Sequence, residues 1–243
     1  MEKQYAEYND KGTMKRYYAF EKLTTNTDAY FIGYMACDGA FIFNKGKSSY
    51  MSVNSTEHQI IYGFRDEYVP DASVIEEGTK SSEKVKANNP VIAVRFTTKM
   101  NPVFNKYGVF SYKKERRLVG VPKKCLGAYI RGVIDADGFI TVGHRKDCRT
   151  PRLRWFITHG SERYLIDLQR AIYDTWMLPT TIRQHGDNVW RLCAQNTELN
   201  KVFLKQIFSI HLPFYNLQKA RIVDDYLYQY FVPQKSGELL ENP

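Results

Sequence analysis

Ala29-Tyr-Phe-Ile-Gly-Tyr-Met-Ala-Cys-Asp-Gly39 and Ala128-Tyr-Ile-Arg-Gly-Val-Ile-Asp-Ala-Asp-Gly138 are two versions of one segment, one in each half of the chain. Both open Ala-Tyr, carry Gly at the fifth place and close on Asp-Gly. An internal repeat outranks every other sequence signal, because the fold must then be built twice. Gly33 with Cys37, and Gly132 with Ala136, put small residues four apart on one helix face, so two such helices can pack with their backbones close together. Each helix then ends in Asp-Gly. Gly39 and Gly138 are expected in the left-handed conformation that stops a helix and turns the chain into a strand. Asp38 and Asp137 would therefore meet at the foot of a shared helix pair.

The same order of elements follows each copy. In the first half, apolar alternation marks strands at Ala40 to Asn44 and Tyr50 to Ser55. A helix from Thr56 to Tyr68 with Ser55 as N-cap comes next, then strands at Ser73 to Glu77 and Val91 to Thr97. In the second half the strands are Phe139 to Gly143 and Arg152 to Thr158, then a helix from Glu162 to Met177 capped by Ser161, then Thr181 to His185 and Val189 to Ala194. Each half closes on a further helical stretch. The charged stretch from Tyr107 to Lys124 reads as a linker, with Pro122 ending any helix before the second motif. The expected division is an N-terminal extension over 1–25, a first half over 26–106, the linker over 107–124, a second half over 125–232 and a frayed tail over 233–243. The fold class is α/β (α+β), a pseudo-twofold tandem of αββαββα halves.

Composition narrows the partners. A chain of 243 residues with 43% hydrophobic and 25% charged residues can bury a real core. A net charge of +9 favours a polyanion, because neutralising phosphates releases counterions. No apolar run approaches the ~20 residues of a bilayer helix, and MEKQYAEYND lacks the apolar core of a signal peptide. The expectation is a soluble intracellular protein of cytoplasm, nucleoid or organelle matrix, neither secreted nor membrane-bound. Cys37, Cys125, Cys148 and Cys193 form no CxxC pair and read as free thiols.

Two carboxylates at helix C-termini oppose the dipoles there, and a divalent cation relieves that repulsion. A single such segment is usually a buried helix ending in a turn; two in matched contexts point to chemistry. Phe31–Gly39 and Ile130–Gly138 resemble the LAGLIDADG nonapeptide, closely in the second copy (IRGVIDADG) and loosely in the first (FIGYMACDG). The resemblance, to the two-motif single-chain homing endonucleases, covers both halves. It implies antiparallel sheets forming a DNA-binding saddle and a monomer acting as a pseudo-dimer on a long asymmetric double-stranded DNA site. It also implies Asp38 and Asp137, with Gly39 and Gly138, as the Mg²⁺ site, where Mn²⁺ substitutes and Ca²⁺ binds without turnover. Cleavage of both strands across the minor groove, leaving short 3′ overhangs, is the implied reaction. Since the eighth motif position carries the metal ligand, Asp135 at the sixth, opposite Ala36, reads as a cap or support. A basic residue past the last helix of each half is also implied, which points to Lys114 or its neighbour Lys113 and to Lys219, stabilising transition-state charge.

Strand alternation assigns the DNA face. In the first half it turns outward Ile42, Asn44, Tyr50, Ser52, Asn54, Arg95 and Thr97. In the second it turns outward Thr141, Arg152, Arg154, Thr158, Arg183, His185, Arg191 and Gln195, with Ile140, Val142, Leu153, Trp155 and Ile157 inward. Arg, Asn and Gln at such positions can read major-groove edges. Competing signatures fail: Glu77 and Lys80 are wrongly spaced for PD-(D/E)xK, and no HEXXH or phosphate-binding loop is present. The start at Met1 and the end in ENP speak against an intein. Two other roles remain on the same fold, an intron-encoded maturase binding intron RNA and a catalytically silent DNA-binding protein.

Overall fold

In a computed structural model of the chain, residues 2–8, 14–20, 22–43, 49–77, 90–143, 151–194 and 197–230 are described, those of 2–8 and 14–20 by backbone alone. Strands β1 (Glu2–Tyr8) and β2 (Met14–Phe20) pair as an antiparallel hairpin, in the stretch read from sequence only as an extension. The first half then runs α1 (Asn26–Asp38), β3 (Ala40–Ile42), β4 (Tyr50–Ser55), α2 (His58–Tyr68), β5 (Ile75–Glu77), β6 (Val91–Thr97) and α3 (Asn101–Lys106). Two 3₁₀ turns, Lys113–Glu115 and Lys123–Cys125, lie in the connecting stretch. The second half runs α4 (Leu126–Asp137), β7 (Gly138–Gly143), β8 (Arg152–His159), α5 (Glu162–Trp176), β9 (Thr180–Gly186), β10 (Val189–Ala194), α6 (Thr197–Phe208) and α7 (Leu217–Tyr230).

Each half contributes one antiparallel four-stranded sheet, in the order β3-β4-β6-β5 and β7-β8-β10-β9. The strand order is the same in both, which is the internal repeat made visible. Helices α1 and α4 pack against each other at the centre; α1 is buried from Asp28 to Cys37 and α4 from Leu126 to Asp135. Gly33 and Gly132 make this possible, since a Cβ at Gly33 would overlap the Tyr129 carbonyl and one at Gly132 the Tyr30 carbonyl. Cys37 is buried beside this seam and Ala136 half-buried.

The glycines after the aspartates differ from expectation. Gly39 (φ −64, ψ 131) and Gly138 (φ −83, ψ 152) are extended, not left-handed. Any residue can adopt those angles. Space excludes a side chain instead: a Cβ would lie 2.5 Å from the Met35 carbonyl oxygen at Gly39 and 2.5 Å from that of Ile134 at Gly138. The chain therefore passes directly from the last helical turn into β3 and β7.

Two serines read alike in sequence behave differently. Ser161 caps α5, accepting from the Tyr164 amide at 3.2 Å. Ser55 does not cap α2, which starts at His58; its hydroxyl accepts from the Glu57 amide at 3.0 Å and from the Tyr34 hydroxyl at 3.1 Å. It closes a turn between β4 and α2 and ties that turn to α1.

The closing helical stretch is unequal in the two halves, a short α3 in the first and α6 plus α7 in the second. The loop between α6 and α7 crosses onto the first half. Phe214 packs edge-on to Phe64 at 5.3 Å and to Tyr30 at 6.0 Å, in a notch that exists because residue 63 is Gly. Gln59 donates to the Tyr215 carbonyl beside it. No described helix is long and apolar enough to cross a membrane.

Candidate active site

Asp38 and Asp137 are the last residues of α1 and α4, and the close seam brings their carboxyls near enough for their charges to interact. Burial and then the charge of Asp137 push Asp38 up from 3.8 to about 7, against the pull of Lys113, Lys219 and Arg116. Burial also raises Asp137, while Lys113, Lys219 and Arg116 hold it down. Without a cation the pair keeps a proton near neutral pH, because burial disfavours the charged form and the neighbouring carboxylate adds repulsion at Asp38.

The donor set suits a hard cation. It consists of carboxylate oxygens, and the nearest softer groups are closed off: burial pushes the Cys37 thiol up, and both His159 nitrogens are engaged. Mg²⁺ accepts such a set because it retains waters and takes only one or two carboxylates from the protein. Among the described residues no group of three or more His, Cys, Asp and Glu converges, so further positions would fall to backbone, water or phosphate oxygens.

Each motif helix ends against a cation. Lys219 Nζ donates to the Ile134 carbonyl at 2.7 Å and the Asp135 carbonyl at 2.8 Å. At the end of α1 that place belongs to Arg116, 1% exposed, which donates to Ala36 (2.8 Å), Cys37 (3.3 Å), Gly39 (2.5 Å) and Phe110 (3.1 Å) carbonyls. Both cations satisfy carbonyls a helix C-terminus leaves unpaired and oppose its negative dipole. The Gly39 carbonyl is thereby committed to a guanidinium. Arg116 was hidden in the run KKERR, where five consecutive polar residues give no sign of which one turns inward.

Of the two lysines weighed for the first half, Lys113 is the one whose charge bears on the aspartates. Lys114 instead reaches Asn188 Oδ1 at 3.3 Å on the surface. A 3₁₀ turn spaces successive side chains about 120° apart, so neighbours cannot both face one site.

Asp135 sits where a support should. Arg131 Nε lies 3.0 and 3.1 Å from its two oxygens, and the Tyr30 hydroxyl and Asn216 amide donate to it at 3.0 Å each. Asn216 Oδ1 in turn accepts from the Lys219 amide at 2.9 Å, starting α7. Asp135 thus holds the segment that carries Lys219. His159 was also missed: its Nε2 contacts the Ala36 carbonyl at 3.1 Å while Nδ1 accepts from the Ser161 amide at 2.9 Å, which fixes the neutral ring, and burial pushes its pKa down to about 4.

The outward strand positions form a basic face on the second sheet and a mostly neutral polar one, with Arg95, on the first. In the second sheet Thr141 lies opposite Arg154, Gly143 opposite Arg152, and Thr158, Arg191 and Arg183 form one row. Arg154, Arg183 and His185 are exposed; Arg191 lies over the Phe156 ring at 4.1 Å and 2.6 Å from His185 Nε2. In the first sheet Asn54 and Arg95 are exposed, Ile42, Tyr50 and Thr97 half-buried, and Arg95 lies over the Tyr50 ring at 4.4 Å. Ser52 departs from expectation, being buried on the inner strand β4 between Ala40 and Arg95. Asn44 and Gln195 lie outside the described residues. The same alternation turns Phe139 and Phe156 outward on the second sheet, where they stack as register partners.

No family model and no curated protein matches the chain by sequence. Solved structures do. The meganuclease I-SmaMI bound to uncleaveable DNA aligns with TM-score 0.54 at 10% identity over 84% of this chain and 90% of its own. A mesophilic variant of the homing endonuclease I-DmoI aligns with TM-score 0.52 at 17% identity, over 81% and 96%. The N-terminal LAGLIDADG domain of DUF199/WhiA aligns with TM-score 0.51 at 13% identity, over 82% and 86%.

Proposed function

The chain has the two-motif, single-chain LAGLIDADG fold, and on that premise we propose that it is a site-specific homing endonuclease hydrolysing both strands of a long double-stranded DNA site. The observation that carries this reading is the Asp38–Asp137 pair, brought within electrostatic reach of each other at the ends of two central helices that Gly33 and Gly132 let pack closely. A fold shared at these identities does not bring the activity with it; the paired carboxylates are what a nuclease needs and a scaffold does not.

Asp38 and Asp137 would hold the divalent metal, Mg²⁺ or Mn²⁺, with Ca²⁺ binding in looser geometry and supporting no turnover. Bound there, the metal supplies the Lewis acidity that activates a water and stabilises the leaving oxygen. Lys113 and Lys219 place positive charge beside the pair, where a phosphodiester gains negative charge in the transition state. Arg116 and Asp135 act behind them, the first fixing the end of α1, the second fixing Asn216 and so Lys219. The outward sheet faces, one with Arg95 and the other with Arg154, Arg183 and Arg191, track the duplex on either side, one face per half-site, so a monomer suffices.

The DUF199/WhiA neighbour, named only for its LAGLIDADG domain, keeps a second reading open, a DNA-binding protein that does not cut. Incubating the full chain with a randomised duplex library in Mg²⁺ separates the two. Recovery of sites cut in both strands with short 3′ overhangs is expected. Retention of a specific duplex without cleavage supports the silent reading, and preference for folded intron RNA over every duplex supports a maturase.

A further inference from the structure

The second sheet carries an aromatic pair that the chemistry above does not use. Phe139 follows Asp137 and Gly138 directly and is 50% exposed. Phe156 is its register partner across β7 and β8, and the rings stack at 5.0 Å with 26° between planes. Arg191 lies over Phe156 at 4.1 Å. At the corresponding register of the first sheet, Ala40 faces Ser52, so the pair belongs to the second half alone.

Leaving half of a Phe in water forgoes hydrophobic stabilisation, and here it occurs on a face rimmed by Arg154, Arg183 and Arg191, a setting complementary to a polyanion. If that polyanion is duplex DNA, as proposed above, the strands present their side chains to the major groove. A benzyl ring offers neither donor nor acceptor there. The one apolar feature on a major-groove base edge is the C5-methyl of thymine, which cytosine, adenine and guanine lack. We propose that Phe139 and Phe156 form an apolar contact reading the C5-methyl of a thymine in the half-site under the second half, near its inner end, because Phe139 stands two residues from Asp137. The inference rests on the DNA-cleavage reading.

The test uses the full chain and a duplex selected from the library, with binding measured in Ca²⁺. Each thymine is replaced in turn by deoxyuridine, which removes one methyl and keeps base pairing. At one or two positions on the second-half side, affinity should fall about fourfold, the loss of one buried methyl. At the same positions 5-methylcytosine should bind better than cytosine. In Phe139→Ser the deoxyuridine penalty should vanish, and in Phe139→Leu, which keeps apolar surface, part of it should remain. A flat deoxyuridine scan of the wild-type protein overturns the proposal without any variant, as does a selected half-site with no thymine there. Equal penalties in wild type and Phe139→Ser would also overturn it, returning the pair to a sugar-backbone contact. All three leave the cleavage reading standing; a chain that retains no duplex overturns both.

Discussion

Asp38→Asn should stabilise the metal-free protein at alkaline pH while removing its catalysis. Asp38 titrates at about 7 in the folded chain instead of 3.8. Between those values the folded state holds a proton the unfolded chain has released, so stability falls as pH rises from about 4 through about 7 and stays low above. The full shift corresponds to about 4 kcal/mol, and the carboxyl's partial exposure discounts it to about 2. For a chain of this size that is roughly 4 to 8 °C in melting temperature. The neutral amide escapes the penalty and keeps the shape. Thermal melts in chelator at pH 5 and pH 8 measure it: the advantage of Asp38→Asn over wild type should widen as pH rises, and Mg²⁺ at pH 8 should close it by stabilising wild type alone. A gap that stays constant with pH, or a wild type more stable than the variant at pH 8 in chelator, would refute the burial and repulsion assigned to the Asp38 charge.

Other substitutions separate structure from chemistry. Gly132→Ala drives a methyl into the Tyr30 carbonyl and should destabilise the fold by about 3 kcal/mol or more in a urea titration, since the obstacle is backbone. Arg116→Met should cost more stability than a surface Arg, about 3 kcal/mol, by leaving the Cys37 and Gly39 carbonyls unpaired and the Ala36 carbonyl to His159 alone; a loss below 0.5 kcal/mol would return it to the solvated class. Lys219→Met should slow cutting of one strand at least tenfold with little change in affinity in Ca²⁺, so nicked product accumulates; equal losses in binding and cutting would make Lys219 a backbone contact.

The parts of the fold legible in sequence are those fixed by local periodicity. Small residues four apart announced the helix seam, and alternation placed Leu153, Trp155 and Ile157 inward, where they are fully buried. What stayed hidden depends on contacts distant along the chain. Arg116 turns inward because the end of α1, remote in sequence, presents bare carbonyls to it. Ser55 looked like the cap that Ser161 is, but Tyr34 on α1 claims its hydroxyl. The Asp-Gly steps suggested positive φ, whereas the glycines are required by a carbonyl one turn back. Phe139 and Phe156 fall on the outward side of that alternation, but their stacking depends on the cross-strand register, which period alone does not give.

The central claim is that Asp38 and Asp137 form one divalent-metal site that cuts DNA. Comparing wild type with Asp137→Asn on a selected duplex, with cleavage measured in Mg²⁺ and binding in Ca²⁺, tests it directly. The account predicts double-strand cleavage by wild type, none by Asp137→Asn, and retention of the duplex by both. Undiminished cleavage by Asp137→Asn in Mg²⁺ would contradict it.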